Sequence, residues 1–199
     1  MNPPTLADLI DESEVARLMA DYGPGPRWQT RIEMADAHFD FWWTKIVVKG
    51  NRRGEIVLAL QRPDARVLLH TKPFYPSGIY RLPTGGIYPG EAVLVGAVRE
   101  AKEETDLDIC ISRFVGMVEY EFIGGDRRLV FVSYVLQAQV GDAPPTPSDA
   151  DERISGFRYV AVAELRDVAD VLRRLPGRWA GWGAFRAPAH DMTADALVK

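Results

Sequence analysis

Cysteine is almost absent from this chain: Cys110 is the single thiol in 199 residues. That excludes an internal disulfide and a cysteine-based zinc site. Lying in the apolar run Ile109–Ile111, Cys110 reads as a small buried hydrophobe. Histidine is scarce as well; His38, His70 and His190 are scattered, and none is assigned a catalytic role. No stretch approaches the ~18 continuous apolar residues of a membrane span. Met1–Asp11 has neither a basic n-region nor an apolar core, so a cytoplasmic location, with no membrane partner, is the default expectation. Positive charge is not in excess either. The 24 Lys+Arg stand against 28 Asp+Glu, a formal net charge of −4, which argues against binding duplex nucleic acid through bulk charge. Pairs such as Arg52-Arg53 and Arg173-Arg174 read as solvated turns or helix faces.

What is present is ordinary globular composition, 47% apolar and 26% charged, enough for one domain with extensions. Thr5 is a candidate cap for a first helix carrying Leu6, Leu9, Ile10, Val15, Leu18 and Met19 as its apolar positions. Tyr22-Gly23-Pro24-Gly25-Pro26 ends it, because proline cannot continue a helix. Residues 1–38 therefore read as an N-terminal helical extension. β-Branched and aromatic residues predict strands over Phe41–Lys49, Glu55–Leu60 and Arg66–Thr71. A Gly/Pro-rich passage, Pro73–Gly90, leads into a helix from about Glu91 to Thr105. Strand-like runs follow over Asp108–Phe122, Leu129–Val140 and Phe157–Val162, the last succeeded by a helix to about Leu175. Tyr120 and Tyr134 read as sheet residues. The main domain is expected over 39–175. In the tail, 176–199, the three-residue spacing of Trp179, Trp182 and Phe185 predicts a short docking helix. A mixed sheet with helices on its faces is the economical architecture.

The chemistry-bearing segment begins Leu82-Pro83-Thr84-Gly85-Gly86-Ile87-Tyr88-Pro89-Gly90-Glu91. It continues to Arg99-Glu100-Ala101-Lys102-Glu103-Glu104-Thr105-Asp106-Leu107. At about 100° per residue, Leu94, Val98, Ala101 and Thr105 share one side of the helix. Glu100, Glu103 and Glu104 share the other and repel one another unless a cation lies among them. A hard divalent ion takes such oxygen ligands; a solvated acidic face paired with Arg99 and Lys102 is the plainer alternative. Gly85, Gly86 and Gly90 permit close backbone approaches that suit a metal or phosphate near a helix start.

Together these residues resemble the Nudix box. Its pattern is Gly, five residues, Glu, seven residues, Arg-Glu, an aliphatic, any residue, Glu-Glu, any residue, Gly and an aliphatic. Gly85, Glu91, Arg99, Glu100, Glu103, Glu104 and Leu107 all fall in place over 85–107, with Ala101 in the first aliphatic position. Asp106 stands where the pattern has Gly. Six fixed matches at ~6% usage each arise by chance on the order of 10⁻⁷ per register, so the match is specific.

The resemblance implies an α/β/α sandwich and a magnesium- or manganese-dependent hydrolase. The substrate would be a nucleoside diphosphate linked to another group, such as a nucleotide sugar or ADP-ribose. A nucleotide-binding module without turnover is the alternative. By the same resemblance Glu100 and Glu104 are metal ligands, Glu103 a ligand or a catalytic partner, and the Thr84 carbonyl a further ligand. Gly85, Gly86 and Glu91 shape the box, and Arg99 orients its glutamates. A downstream glutamate serves as water-activating group in some members; Glu152, before the last strand, resembles it, with Glu103 as the other choice. Its plainer reading is a surface pair with Arg153 or Arg158. Tyr80 and Arg81, with Phe74 and Tyr75, precede the box and are candidates for holding a base or phosphate, or else loop packing. The extra N-terminal helix and the aromatic run Phe39–Trp43 suggest a homodimer in which residues 1–45 take part.

Overall fold

The computed structural model describes residues 2–198. Two helices open the chain, α1 (Leu6–Leu9) and α2 (Glu12–Tyr22). The predicted single helix is broken at Ile10-Asp11 because Asp11 turns its carboxylate onto the Ser13 and Glu14 amides and starts a second one. Thr5 closes the first turn by donating its own N–H and hydroxyl to Asp8.

Next comes β1 (Arg27–Glu33), a strand inside the stretch expected to be only helical. It pairs in parallel with β5 (Ile109–Gly124). Phe41–Lys49, expected as a strand, is instead helical: α3 (Asp36–Trp43) runs into a π-helical turn, Thr44–Val48. Its aromatic and β-branched residues follow a helical period, so Phe39, Trp42 and Ile46 point into the core, and packing overrides strand propensity. Of the aromatic run proposed as a self-association surface, Phe39 and Trp42 are thus spent internally, while Phe41 stays exposed.

The remaining elements follow the expected order, with one unexpected strand, Thr84–Ile87, inside the Gly/Pro-rich passage. They are β2 (Gly54–Gln61), β3 (Val67–Thr71), β4 (Thr84–Ile87), α4 (Val93–Thr105), β5, β6 (Arg127–Val140), β7 (Gly156–Val160), α5 (Leu165–Arg173) and α6 (Ala180–Leu197). The sheet is mixed, in the order β1-β5-β6-β2-β3-β7, with β4 also paired to β2. Alternation along β2 divides the core into two layers. Ile56, Leu58 and Leu60 pack with α1, α2 and α4, whereas Val57 and Ala59 pack with α3, α5 and α6. This is an α/β/α sandwich.

The tail helix is far from short: α6 has 18 residues. Phe185 is 1% exposed and meets Tyr120 and Phe122 edge-on. Gly181 and Gly183, which weaken a helix reading, are there for close approach. A Cβ on them would lie 2.3 Å from the Glu33 carbonyl and 2.0 Å from that of Leu172. Cys110, expected to be buried, is exposed, because it lies on the outward side of the alternating end of β5.

Candidate functional site

The site is built where β4 passes into α4. Strand β4 is Thr84-Gly85-Gly86-Ile87, paired antiparallel with Gly54–Val57 of β2. Glu91 closes the following turn by accepting the Tyr88 N–H at 3.0 Å. Ala92 offers no capping side chain, so the N-terminus of α4 is capped from a distance: Glu14 of α2 accepts the Val93 N–H at 2.7 Å. The other oxygen of Glu14 binds Arg53, which also donates to the Glu91 carbonyl. Arg52 and Arg53 are accordingly not a solvated turn. Both are partly buried, Arg53 under α2 and Arg52 beside Gly86.

Arg99 ties the loop to the helix. Its Nε donates to Glu91 at 2.8 Å, its Nη2 to the Gly86 carbonyl at 2.8 Å, and its Nη1 to Glu100 at 2.7 Å and Glu103 at 3.0 Å. These charge-assisted bonds fix three carboxylates relative to β4. Gly85 is required by contact: a Cβ there would lie 1.7 Å from Cδ of Glu100. Asp106, in the family's glycine position, takes left-handed backbone (φ 55°, ψ 14°) at the end of α4, the conformation that glycine would supply. Its side chain pairs with Lys102 at 2.8 Å.

The buried stripe of α4 keeps Ala101 and Thr105 of the expected one, but in its first half Val93 and Ala97 take the place of Leu94 and Val98. Val93, Ala97, Glu100, Ala101, Glu104 and Thr105 face inward, and Val98 is exposed. Two of the three glutamates therefore lie under the surface, with Glu103 half-exposed. Glu104 is fully buried and neither carboxylate oxygen accepts a hydrogen bond. Its neighbours are Lys72 Nζ at 3.5 Å and His70 Nδ1 at 3.7 Å. Burial pushes its pKa up to about 8; the charges of Arg81 and Lys72 oppose that rise, and Glu152 and Glu100 add to it. Burial likewise raises Glu100, against the pull of Arg99.

Glu152 does not pair with Arg153 or Arg158. A short helical turn, Ala150–Glu152, delivers it to Lys72 Nζ at 2.8 Å. Glu152, Glu100, Thr84, Gly85, Gly86, Lys72 and Arg81 line one cleft of about 180 Å³. Arg81 is 3% exposed, donating to the Leu82 carbonyl, Thr84 Oγ1 and the Tyr75 hydroxyl. Tyr80 stands elsewhere, under Arg158 in a separate depression that includes Glu164, and Phe74 is exposed. The same cleft holds residues that the sequence did not assign to the site: Phe41, Lys45, Arg52, Glu55 and Arg186. Glu55 is clamped by Arg186 at 2.8 and 2.9 Å and by Ser133 at 2.7 Å. These come from α3, the π turn, β2, β6 and α6, and no local spacing links them.

The donor set fits a hard divalent cation. Glu100, Glu103, Glu104 and Glu152 with the Thr84 carbonyl offer only oxygens, and Glu104 has two buried oxygens without a donor. Among the described residues no three His, Cys, Asp or Glu side chains converge as a ready metal cage. Arg99 and Lys72 hold the carboxylates instead, and an entering cation would compete with them.

The NUDIX domain model matches residues 45–179. The chain belongs to the Nudix family. This Nudix chain is 26% identical over 115 residues to the NAD-capped RNA hydrolase NudC of Vibrio atlanticus (strain LGP32), a match covering 58% of this chain and 40% of that relative. Among solved structures it is similar to an Ap4A hydrolase of C. elegans, at 15% identity and a TM-score of 0.49 over 71% of this chain and 95% of that one. It is also similar to an ADP-ribose pyrophosphatase of Streptococcus suis 89-1591, at 16% identity and a TM-score of 0.45 over 73% and 91% of the two chains. Among the described residues no helix is long and apolar enough to cross a membrane.

Proposed function

We propose that this Nudix chain is a divalent-metal-dependent hydrolase that cleaves a diphosphate linkage in a nucleoside diphosphate joined to another group. The observation that carries this reading is Glu104, a carboxylate buried without a hydrogen-bond donor behind the cleft that Glu100 and Glu152 line. A carboxylate buried with no hydrogen-bond donor and only Lys72 at 3.5 Å is costly, and a divalent cation would offset that cost. Family membership and a relative that hydrolyses NAD-capped RNA support the class of reaction.

Glu100, Glu103 and Glu104, with the Thr84 carbonyl, would hold magnesium or manganese. Bound there, the ion would neutralise diphosphate charge and favour hydroxide over water. Arg99 keeps Glu100 and Glu103 in register with β4. Glu152 would accept the proton of the attacking water at a carboxylate oxygen, while Lys72 holds that carboxylate over the cleft.

The test is a magnesium-dependent phosphate-release screen over nucleotide sugars, ADP-ribose, dinucleotides and nucleoside triphosphates, run with Glu152→Gln alongside. The variant is expected to keep metal and substrate affinity and lose about 10²- to 10⁴-fold in turnover. Near-wild-type turnover in Glu152→Gln would move the proton-accepting role to Glu103. Ligand binding with no metal-dependent release from any compound would overturn the hydrolase and leave a binding module.

A further inference from the structure

The cleft has two kinds of lining. Glu100 and Glu152 supply carboxylates, and Phe41, Lys45 and Arg52 supply a ring and two cations to the same cavity. Ion pairs at the cleft join Lys72 to Glu152, Arg99 to Glu100 and Arg186 to Glu55; among the described residues none includes Lys45 or Arg52. Arg52 and Lys49, two like charges, lie close enough to act on the Lys45 ammonium. The guanidinium of Arg52 lies against Gly86, where a Cβ would fall 1.0 Å from Nη1. That same Nη1 is buried and has no hydrogen-bond partner. Lys45 outside any ion pair and an Arg52 guanidinium nitrogen without an acceptor leave donors for a phosphate, even with Glu91 in electrostatic reach of Arg52.

Phe41 adds the second observation. It is 52% exposed although its neighbours Phe39 and Trp42 are buried. It lies at 5.6 Å from Lys45 Nζ and edge-on to Trp42 at 5.2 Å. The π-helical turn that begins at Thr44 adds a residue to that turn of helix, closed by the Lys49 N–H donating to the Thr44 carbonyl. Such turns are frequent at functional sites. Here α3 and its π turn present a ring and an ammonium to the same cleft.

We propose that Phe41, Lys45 and Arg52 form the specificity-determining arm of the site, binding the nucleoside half of the substrate. Phe41 stacks on the base, and Lys45 with Arg52 takes the phosphate nearest the nucleoside. This inference rests on the proposed hydrolase reading for its setting. The contacts set the order. Phe41 touches Lys45, Lys45 neighbours Arg52, and Arg52 lies on Gly86 beside the box carboxylates. The two cations thus stand between ring and carboxylates, as a phosphate stands between a base and the scissile linkage.

Calorimetric titration with magnesium present, using ADP, GDP, CDP, UDP and inorganic diphosphate, tests it. Wild-type protein should bind at least one nucleoside diphosphate more tightly than inorganic diphosphate. Phe41→Leu, a change at an exposed position, should weaken that nucleotide by about 5- to 100-fold, the span of one base–aromatic stack, and leave inorganic diphosphate unchanged. Lys45→Gln should weaken both. In turnover assays Phe41→Leu should raise KM with kcat little changed. Equal nucleotide affinity in wild type and Phe41→Leu would overturn the arm, as would wild-type protein that prefers none of the four nucleotides to inorganic diphosphate. Should Phe41-dependent nucleotide binding persist without hydrolysis, the hydrolase reading falls and the arm stands. Should hydrolysis proceed indifferent to Phe41, the arm falls and the hydrolase stands.

Discussion

Replacing Glu104 by Gln should change how the stability of the metal-free protein depends on pH, and the size of that change follows from burial. Glu104 has a carboxyl whose pKa rises from an ordinary 4.5 to about 8 on folding. The folded state therefore holds a proton that the unfolded chain releases. A group raised in this way contributes stability that is complete below pH 4.5 and is lost as pH climbs towards 8. At 1.36 kcal/mol per unit, the 2.5 units between 4.5 and 7 come to about 3 kcal/mol. Urea denaturation in chelator at pH 5, 6, 7 and 8 should show wild type losing ground to Glu104→Gln by about 1 kcal/mol per pH unit. The comparison isolates one side chain, because His70, Lys72 and Arg81 are retained in both proteins. Adding magnesium or manganese should abolish the trend in wild type, since metal binds the deprotonated carboxylate and stabilises the folded state by mass action. The variant should gain little from either ion. Parallel stability-against-pH curves for the two proteins in chelator would refute the reasoning. So would an equal magnesium-induced rise in midpoint.

Four further outcomes follow from three positions, Gly85, Asp106 and His190. Gly85→Ala places a Cβ 1.7 Å from Cδ of Glu100, so divalent-cation affinity measured by calorimetry should fall at least tenfold while circular dichroism stays native. Asp106→Gly should shift stability by no more than about 1 kcal/mol, because relief of left-handed backbone offsets loss of an exposed Lys102 pair. Asp106→Val, β-branched at φ 55°, should cost about 1–3 kcal/mol by denaturant titration. His190 is buried, its pKa held down to about 3 by desolvation. Below pH 6.5 the unfolded chain takes up a proton that the folded state refuses, so stability falls as pH drops, by about 1.4 kcal/mol per unit at most. His190→Gln should flatten that acid limb in urea titrations between pH 6 and 4.

The box is legible in sequence because its constraints are local. Gly85 is needed where Glu100 lies against β4, and Arg99 must reach Glu91, Glu100 and Glu103 within one turn or two. Contacts of that kind are imposed at fixed spacing and can be read from spacing. The strands from Glu55 to Val140 are legible for a similar reason, as alternation between two packed faces leaves a period. Strand β1 alternates too, with Trp28, Thr30 and Ile32 on its inward side, but two apolar residues, Trp28 and Ile32, are too few to stand out from the polar residues between them. The length of α6 depends on close approach to backbone outside the helix, Leu172 for Gly183 and Glu33 for Gly181. Apolarity alone places the first half of the α4 stripe one position off, at Leu94 and Val98. Here two carboxylates, Glu100 and Glu104, are turned inward, which a function-bearing helix tolerates and a periodicity count does not register.

The cations of the cleft show the same division between local and distant information. Lys45, Lys72 and Arg186 are inconspicuous in sequence, each one charge in an ordinary context. The topology makes them a set: the π turn after α3, the end of β3 and α6 all reach the cavity opened by β4. The elements flanking the box residues also brace them. Glu14 in α2 caps α4 through Val93, Arg186 in α6 clamps Glu55, and His190 accepts the Leu82 N–H two residues before Thr84. Removing any one of these leaves a buried donor or charge unpaired, at about 1–3 kcal/mol for a neutral group and more for a charged one. The N-terminal helices and the tail helix are therefore structural parts of the site. Rigid placement of Thr84 and the start of α4 is what a metal-binding constellation on this loop requires.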